Sequence, residues 1–450
     1  MEGRSATAQA SVDGDKTLAN HRVVIVGGGA GGLELATALG RRLGRSGRAD
    51  VVLIDANLTH LWKPLLHEVA AGSLNSYQDE LNYIAHARHN GFRFEFGRMD
   101  NLDRTNRHVS LVPIEDPPGH EIVPRRTVPY DTLVLAVGSV SNEFGTPGVR
   151  QHCRFLDSRA DAEALHRDLL LTLLRASTAR NGAEEVSVAI VGGGATGVEL
   201  AAELRHAGDE LARYGAPIRP GSLRITLIEA ADRILSSLPE RLSSSVTEAL
   251  QGLDVAVLTS SRVTHVDEEG VHLAGGTLIK AQVKVWAAGV KAPPFLNGLD
   301  GLESARSGQL VVRSTLQTTR DDSVFAFGDC AWCPLAPGSD RPVPPRAQAA
   351  HQQASLLAKS LPRRLQGKPL PEYVYSDFGS LVSLSRYTAL GTLMGGVFRK
   401  SRTIEGRLAR IAYLSLYRMH QMALHGVWRT LILILTNRLQ RVTQPTLKMH

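Results

Sequence analysis

The chain has 450 residues, of which 43% are hydrophobic and 21% charged, and its formal net charge is +7. These values are typical of a folded globular protein and exclude a disordered chain, while the length predicts two or three domains. The three cysteines, Cys153, Cys330 and Cys333, are too few for a disulfide framework and predict free thiols.

The two ends of the chain differ in character from its body. Residues 1–20 are polar, lack the apolar core of a secretory signal and are predicted to form a flexible leader. No stretch reaches the roughly 18 apolar residues that cross a bilayer, so no membrane-spanning helix is predicted. Residues 391–450 carry ten Lys or Arg and one acid, Glu405, whereas the rest of the chain is nearly neutral. A basic end on a neutral body predicts an anionic partner.

A glycine-rich turn occurs twice, at an offset of 165 residues. Residues 25–36 (IVGGGAGGLELA) and 190–201 (IVGGGATGVELA) are identical at ten of twelve positions. Each copy follows a β-branched run, at 23–26 and 186–191, and opens an Ala/Leu/Glu-rich helix, which is the context of a dinucleotide-binding turn. The exposed N–H groups of the helix N-terminus would hold the pyrophosphate. The sequence therefore predicts two dinucleotide sites.

An acid after the second strand distinguishes such a site from an ordinary glycine-rich turn. Asp55 follows the last glycine of the first copy by 23 residues, and Glu229 follows that of the second copy by 32. The usual spacing is about 20, so the second copy is predicted to contain an insertion around residues 214–222. A carboxylate facing the ribose repels the 2′-phosphate of NADP, so Glu229 favours NADH over NADPH.

Later segments supply further candidates. Residues 130–138 and 283–289 are predicted as matching late strands of the two domains, and residues 323–329 (SVFAFGD) as a strand that ends on Asp329. Gln348 and Gln352 stand at i and i+4, where their amides could reach a quinone carbonyl or simply face solvent. His351, on a neighbouring face, could supply a proton to a reduced quinone but is interpreted as a solvated helix histidine. Cys330 and Cys333 form C-x-x-C, but a redox or metal role is not favoured, because no further ligands appear at metal-site spacing.

The chain resembles the flavoproteins with two dinucleotide-binding domains and, within them, the long-tailed proteobacterial branch of the type II NADH:quinone oxidoreductases. The resemblance covers nearly the whole chain after residue 20. Its most specific segments are HLWKPLLHEVA (60–70), PRAQAAHQ (345–352), DFGSLVSLS (377–385) and IEGRLARIAYLSLYRMHQMALHG (404–426).

The resemblance implies tightly bound FAD on the first turn and exchanging NADH on the second. It further implies hydride transfer from NADH to FAD and passage of two electrons to ubiquinone or another membrane quinone, with no metal and no proton pumping. Three residues are expected near the chemistry: Glu199, Gln348 and Gln352. Glu199 could instead be a capping carboxylate of its helix. The residues implied to bind cofactor are Gly27, Gly28, Gly29, Ala30, Gly31, Gly32, Asp55, Lys63, Gly138, Ser139, Gly192, Gly194, Ala195, Thr196, Gly197, Glu229, Ala288, Gly289, Gly328, Asp329, Ala349 and Ala350.

The basic tail is predicted to lie on a membrane. Apolar residues alternate with Arg407, Arg410 and Arg418 along 404–439, which indicates an amphipathic helical pair at an anionic membrane surface. A docked core helix or a homodimer interface would also fit, whereas nucleic acid would not, because the segment is too apolar. The expected location is peripheral, on the cytoplasmic face of the bacterial inner membrane.

The predicted fold is α/β: two Rossmann-like dinucleotide-binding domains, with the NADH domain inserted in a split FAD domain, and a C-terminal amphipathic helical region. The predicted boundaries are 1–20 (leader), 21–150 and 310–385 (FAD domain), 151–309 (NADH domain) and 386–450 (membrane region). Two other functions stay open on the residues alone. One is a reductase for a ferredoxin or rubredoxin, which needs no apolar tail, and the other is a non-catalytic NADH-sensing module.

Overall fold

The computed structural model describes residues 21–74, 80–116, 118–178, 185–213, 222–385, 388–395 and 398–443. Within 388–443 the backbone is described more completely than the side chains. The predicted leader, residues 1–20, lies outside these ranges, as does most of the predicted insertion at 214–222.

Strands and helices alternate along most of the chain. The first part forms β1 (Arg22–Val26), α1 (Ala30–Leu39), β2 (Asp50–Asp55), β3 (Thr59–His60), α2 (Leu66–Ala71), β4 (Leu81–Asn82), α3 (Tyr83–Asn90), β5 (Arg93–Phe96), β6 (Met99–Asp103), β7 (His108–Leu111), β8 (Ile114–Glu115), β9 (Glu121–Val123), β10 (Arg126–Pro129), β11 (Thr132–Leu135) and β12 (Val140–Ser141). The middle forms α4 (Val149–His152), α5 (Arg159–Ser177), β13 (Val186–Val191), α6 (Ala195–Arg213), β14 (Leu223–Ile228), α7 (Glu240–Gly252), β15 (Val255–Leu258), β16 (Val263–Val266), β17 (Gly270–Leu273), β18 (Leu278–Lys280), β19 (Val283–Trp286) and β20 (Val290–Lys291). The last part forms β21 (Leu310–Val311), β22 (Val324–Ala326), β23 (Ala331–Trp332), α8 (Ala347–Arg364), β24 (Gly379–Leu384), β25 (Thr388–Gly395), β26 (Phe398–Glu405), α9 (Arg407–His425) and α10 (Val427–Thr443).

The first domain is built on a parallel sheet with the strand order β22-β11-β1-β2-β5. Its central strand β1 is almost entirely buried, as expected for a Val- and Ile-rich strand whose two faces are both covered. β22 joins this sheet beside β11 although it comes after the whole second sheet in the chain. The first domain is therefore split, and this confirms the predicted insertion of one domain into the other.

The second domain repeats the same core. Its sheet has the order β15-β14-β13-β19, so β13 lies between β14 and β19 as β1 lies between β2 and β11. The predicted strand at 186–191 and the predicted late strands are present as β13, β11 and β19. Helix α6 has 19 residues against 10 for α1. The longer helix thus accounts for part of the wider spacing between Gly197 and Glu229.

The chain crosses between the two domains at a short antiparallel ribbon. Val140 of β12 pairs with Lys291 of β20. After the return crossing, Leu296 already packs in the core of the first domain, whereas Val149 packs in the core of the second. On the return crossing the core contacts therefore change close to the ribbon.

The C-terminal region begins with a sheet rather than a helix. β24, β25 and β26 form an antiparallel meander, and the predicted boundary at 385/386 falls inside it. The predicted helical pair is present as α9 and α10, but Ile404, expected at its start, belongs to β26. Gly406, with φ of +69°, ends the strand, and α9 begins one residue later.

The three regions share apolar interfaces. Leu66 and Ala70 of α2 pack with Val382 and Leu384 of β24 in the same core as the helix α6 of the second domain. Elements of the three regions therefore share one apolar core.

Within the described residues, no helix is long and apolar enough to cross a bilayer.

The last glycine of each turn, Gly32 or Gly197, is packed so closely that we predict a loss of stability when it is substituted. A Cβ on Gly197 would lie 2.0 Å from the carbonyl oxygen of Gly192, whereas a Cβ on Gly252 would meet nothing within 4 Å. We expect Gly197→Ala to lower the free energy of unfolding by about 1–3 kcal/mol through overpacking, measured by urea unfolding, and Gly252→Ala to cause no loss. Equal unfolding midpoints for the two variants would contradict this packing argument.

Candidate active site

Both glycine-rich turns open into one continuous cavity of about 2680 Å³. Gly29 of the first turn and Gly194 of the second line it, together with Asp329 and Gln348. A cavity of this size exceeds the ordinary range for one drug-sized ligand, about 300–1,000 Å³. The arrangement allows two dinucleotides to lie in contact with each other.

The first turn brings two parts of the backbone into close approach. Gly27 has φ of +103°, and a Cβ there would lie 2.4 Å from the carbonyl oxygen of Ala136. The N–H of Gly28 donates to Oδ2 of Asp55 at 2.6 Å, while burial raises the pKa of this carboxyl. The predicted acid thus stands directly beside the turn.

The second turn has the same geometry. Gly192 has φ of +114°, and the N–H of Gly193 donates to Oε2 of Glu229 at 2.6 Å. A carboxylate can accept several hydrogen bonds at once, so each acid keeps acceptor capacity for a ribose hydroxyl. The repeat in the sequence is therefore a repeat of a complete structural site.

The local shape fits dinucleotides. A Cβ on Gly29 or on Gly194 would meet no protein atom within 4 Å, so both glycines face open space in the cavity. Each lies at the N-terminus of a helix of ten or more residues, where N–H groups attract phosphate. The donors and the free space thus match a bound pyrophosphate at each turn.

Three distant segments meet at the far end of the first site. The ammonium of Lys63 donates to the carbonyl oxygen of Ser139 at 2.9 Å, and the hydroxyl of Ser139 donates to Oδ2 of Asp329 at 2.8 Å. All three residues line the cavity beside Gly138 and Gly328. The structure therefore brings these sequence-predicted residues together.

A few predicted residues do not line the cavity. A Cβ on Gly28 would lie 2.4 Å from the hydroxyl of Tyr83, Gly197 packs against Gly192, and Ala349 is only 2% exposed. These residues shape the site through packing. The remaining predicted residues that do line it are Gly27, Gly29, Ala30, Gly31, Gly32, Asp55, Gly192, Gly194, Ala195, Thr196, Glu229, Ala288, Gly289 and Ala350.

The two glutamines are engaged differently from the prediction. The amide nitrogen of Gln348 donates to the carbonyl oxygen of Gly379 at 3.0 Å, and its amide oxygen accepts from the N–H of Phe378 at 3.0 Å. Gln352 donates to the carbonyl oxygen of Ser376 at 2.7 Å and does not line the cavity. Both amides hold residues 376–379 against α8, so Gln352, expected near the chemistry, is engaged away from the cavity. Gln348 keeps a place on the cavity wall.

Glu199 is a buried carboxyl on the cavity wall. It is 7% exposed, and its Oε1 accepts from the N–H of Ser383 at 3.0 Å. Burial, aided by the nearby Glu68, raises the pKa of Glu199 to about 8, so it is mostly protonated at neutral pH. A capping carboxylate of an exposed helix, the alternative interpretation, would be solvated instead.

The surroundings of Glu199 come from three elements. His67 of α2 places its Nδ1 3.7 Å from Oε2 of Glu199, and burial lowers the pKa of His67 to about 4, so this ring is neutral. The phenol of Tyr413 on α9 lies beside Glu199, although its oxygen makes no hydrogen bond of good geometry among the described residues. Tyr413 therefore lines the cavity while its hydroxyl is buried beside Glu199.

The C-terminal helix α9 forms part of the cavity wall, which the sequence reasoning did not foresee. Its lining residues include Tyr413, Leu416, Met419 and His420. Leu416 and Met419 are 37% and 40% exposed, so the wall here is apolar and partly open. The tail is thus part of the site as well as a candidate membrane anchor.

Sequence reasoning also missed a carboxylate held between two histidines. Glu34 of α1 bonds His351 of α8 and His420 of α9, and all three line the cavity. His351 is therefore engaged with a buried acid and is not the solvated helix histidine of the prediction. No local motif signals this cluster, since its members are 317 and 386 residues apart from Glu34.

The cysteines are buried free thiols, and burial raises the pKa of Cys330 to about 11 and that of Cys333 to about 12. Thiols with such values are poor nucleophiles, in agreement with the interpretation of C-x-x-C. In the described part of the chain, a group of residue types that bind metals lies on β16 and β17 and the intervening turn, outside the cavity wall. It consists of His265, Asp267 and His272.

The buried carboxyl predicts a pH effect on stability. The pKa of Glu199 is about 8 in the folded protein and near 4.5 when the group is exposed. The stability that the protonated carboxyl contributes is fully present below pH 4.5 and is lost as the pH rises from there through 8, at about 1.4 kcal/mol for each pH unit. We expect Glu199→Gln to gain stability relative to the wild type between pH 5 and pH 8, in urea unfolding of the FAD-loaded protein. The exposed Glu248→Gln is the control. Parallel pH curves for wild type and Glu199→Gln would contradict the buried, protonated state.

The comparisons with known proteins agree with this geometry. Residues 21–354 match the pyridine nucleotide-disulphide oxidoreductase family model. The type II NADH:quinone oxidoreductase of Haemophilus influenzae is 46% identical over 443 residues, which cover 95% of this chain and 99% of that protein. The enzyme of the same name from Staphylococcus aureus is 28% identical over 381 residues, covering 83% and 90%.

A solved structure gives the same fold. The structure of NDH2 from Plasmodium falciparum in complex with NADH superposes with a TM-score of 0.79 at 18% identity, covering 95% of this chain and all of that one. The chain belongs to the pyridine nucleotide-disulphide oxidoreductase family and, within it, to the type II NADH:quinone oxidoreductases.

Proposed function

We propose that this chain is an FAD-dependent respiratory NADH dehydrogenase that reduces a membrane quinone, ubiquinone above all, without pumping protons. The observation that carries the proposal is the single cavity that joins both dinucleotide turns to an apolar wall formed by the tail helix α9. A donor site, a cofactor site and an acceptor site would thereby share one continuous cavity.

The first turn is proposed to hold FAD. Bound FAD would supply the redox chemistry, taking up two electrons from NADH and releasing them to the quinone. Asp55 would hold the adenosine ribose, and Asp329 with Ser139 the ribityl chain. Lys63, fixed on the carbonyl oxygen of Ser139, would place a positive charge at the far end of the site. These assignments rest on the burial and hydrogen bonds of the residues concerned.

The second turn is proposed to bind NADH. Glu229 would accept from the ribose hydroxyls and repel the 2′-phosphate of NADPH. Glu199 would stand near the nicotinamide as a neutral carboxyl that can donate a hydrogen bond. Its protonation keeps a negative charge out of a buried site, where an uncompensated charge is costly.

The acceptor is proposed to enter past α9. Leu416 and Met419 offer an apolar surface that suits the ring and tail of a quinone. Beside this surface, Gln348 holds residues 377–379 in place by hydrogen bonds. A ferredoxin or rubredoxin reductase would have no use for this apolar wall. An NADH sensor would not need a second dinucleotide site.

The outer face of α10 is proposed to lie on the cytoplasmic face of the bacterial inner membrane. Trp428, Ile432 and Leu435 are 81%, 64% and 61% exposed. Apolar side chains of this size on a basic helix pair suit the headgroup region of an anionic bilayer. A homodimer interface on the same face is the alternative that vesicle binding would distinguish.

The acceptor assay tests the proposed function. Purified protein loaded with FAD should oxidise NADH with a short-chain ubiquinone and with ferricyanide, which accepts electrons without protons. NADPH should be at least about tenfold poorer in kcat/KM, which corresponds to about 1.4 kcal/mol. Turnover with ferricyanide or with a ferredoxin but not with quinone would refute the proposal.

Substitutions on α10 test the membrane surface more cleanly than truncation, because removal of the tail would also remove Tyr413 and His420 from the cavity. Ile432→Glu combined with Leu435→Glu should lower partition into phosphatidylglycerol-containing vesicles at least about tenfold, since each apolar side chain contributes about 1.5–3 kcal/mol on burial. Leu174→Glu, at a side chain of α5 that is 57% exposed, is the matched control. Cosedimentation equal to that of the wild type would contradict the assignment of this face.

A further inference from the structure

A buried carboxylate joins the acceptor helix to the tail helix. Glu34 is 8% exposed; its Oε2 lies 2.6 Å from Nδ1 of His351 on α8, and its Oε1 lies 2.7 Å from Nδ1 of His420 on α9. Both distances are those of charge-assisted hydrogen bonds. Glu34 therefore uses each of its two oxygens for a different helix.

The chain of hydrogen bonds continues to the first turn. Nε2 of His420 lies 3.0 Å from Nε2 of His60, and Nδ1 of His60 lies 3.0 Å from the carbonyl oxygen of Gly28. A carbonyl oxygen only accepts, so Nδ1 of His60 carries the hydrogen. Burial lowers the pKa of His60 to about 3, so the ring is neutral and its Nε2 is an acceptor. His420 must therefore donate from Nε2.

The donor and acceptor roles of His60 and His420 determine which groups can hold a transferable proton. Because Nε2 of His420 already carries a hydrogen, the contact between its Nδ1 and Oε1 of Glu34 needs one further proton, held either by the imidazole or by the carboxyl. The second oxygen of Glu34 accepts from Nδ1 of His351. Nε2 of His351 has no hydrogen-bond partner among the described residues, and the side chain is 33% exposed on the cavity wall.

Two further histidines, His86 and His425, lie near the cluster together with Arg41 and Arg429. His86 of α3 lies 2.8 Å from the hydroxyl of Thr37 on α1, and burial, with His425 and Arg41 nearby, lowers the pKa of His86 to about 3. Burial also lowers the pKa of His425, aided by His420 and Arg429. These rings stay neutral at physiological pH, whereas the hydrogen bond that His351 donates to Glu34 raises the pKa of His351.

We propose that Glu34 is a positioning residue for quinone reduction: clamped by His420 of the tail helix, it holds Nδ1 of His351 so that a proton on Nε2 of His351 passes to the acceptor. The inference rests on the proposed function, because it requires a quinone at the wall formed by α8 and α9.

The proton balance of this step closes. Reduction of a quinone takes up two electrons, which NADH supplies, and two protons, and it converts two C=O groups to C–OH. One proton leaves Nε2 of His351 as that N–H bond breaks, while Nδ1 keeps its hydrogen toward Glu34. The hydride of NADH brings the second hydrogen together with the two electrons, and water at the exposed edge of His351 restores the proton of Nε2, so that NADH, one proton and quinone give NAD⁺ and quinol.

Glu34→Gln tests this role with little risk to the fold. A Gln oxygen can accept from His351, and a Gln N–H can donate to a neutral His420, so every hydrogen bond persists while the charge is removed. We expect the pKa of His351, followed by NMR of ring-labelled histidine, to fall by about one unit in this variant. We also expect kcat with ubiquinone to fall about tenfold at pH 8, with its alkaline limb shifted to lower pH by a similar amount. Turnover with ferricyanide should stay unchanged, because that acceptor takes no proton.

Two control variants and the comparison of ubiquinone with ferricyanide show how the result is to be interpreted. His351→Gln should remove the alkaline limb, and the exposed His120→Gln should behave as the wild type. An unchanged histidine pKa in Glu34→Gln, or an equal loss with ubiquinone and ferricyanide, would overturn the inference while the quinone activity of the wild type still supported the proposed function. A wild type that reduces ferricyanide but not ubiquinone would overturn the proposed function itself, and the inference with it.

Discussion

The close approach of each glycine turn to the neighbouring parallel strand is the constraint on which the site depends. At Gly27 and Gly192 the backbone of the turn lies close to the residue just after the neighbouring parallel strand, Ala136 or Ala287. A Cβ on either glycine would overlap the carbonyl group of that residue. This approach aims the following helix at open space and sets an acid, Asp55 or Glu229, against the backbone of the turn. The same steric rule, applied twice, builds two facing sites.

Much of this could be predicted from the chain, because the signals are local. Strand, glycine turn, helix and acid lie within residues 22–55 in the first copy and 186–229 in the second, and backbone sterics alone relate them. The predicted insertion of one domain in the other is seen in β22, which ends shortly before Asp329 and joins the first sheet beside β11. The cofactor residues Lys63 and Ser139 came from family resemblance, and the hydrogen bonds in the structure join them to Asp329.

The parts that escaped prediction depend on contacts between distant segments. Helical spacing placed Gln348 and Gln352 on one face, but it could not show that residues 376–379 would use their amides. The helical pattern of the tail included Ile404, although Gly406 ends a strand there. In the sequence Glu34 resembles any acidic residue of a helix, and only the packing of α8 and α9 against α1 gives it two histidine partners. Pairings of this kind are encoded in three-dimensional packing and leave no periodic trace.

The ribbon of β12 and β20 has a consequence for how such a chain could arise. Both crossings between the domains run side by side, so the inserted domain begins and ends at neighbouring positions on its host. A segment whose two ends meet can be gained or lost by the host with little disturbance of its hydrogen-bonded core. The identical turns at an offset of 165 residues fit descent from one ancestral nucleotide-binding module that was copied and placed within itself.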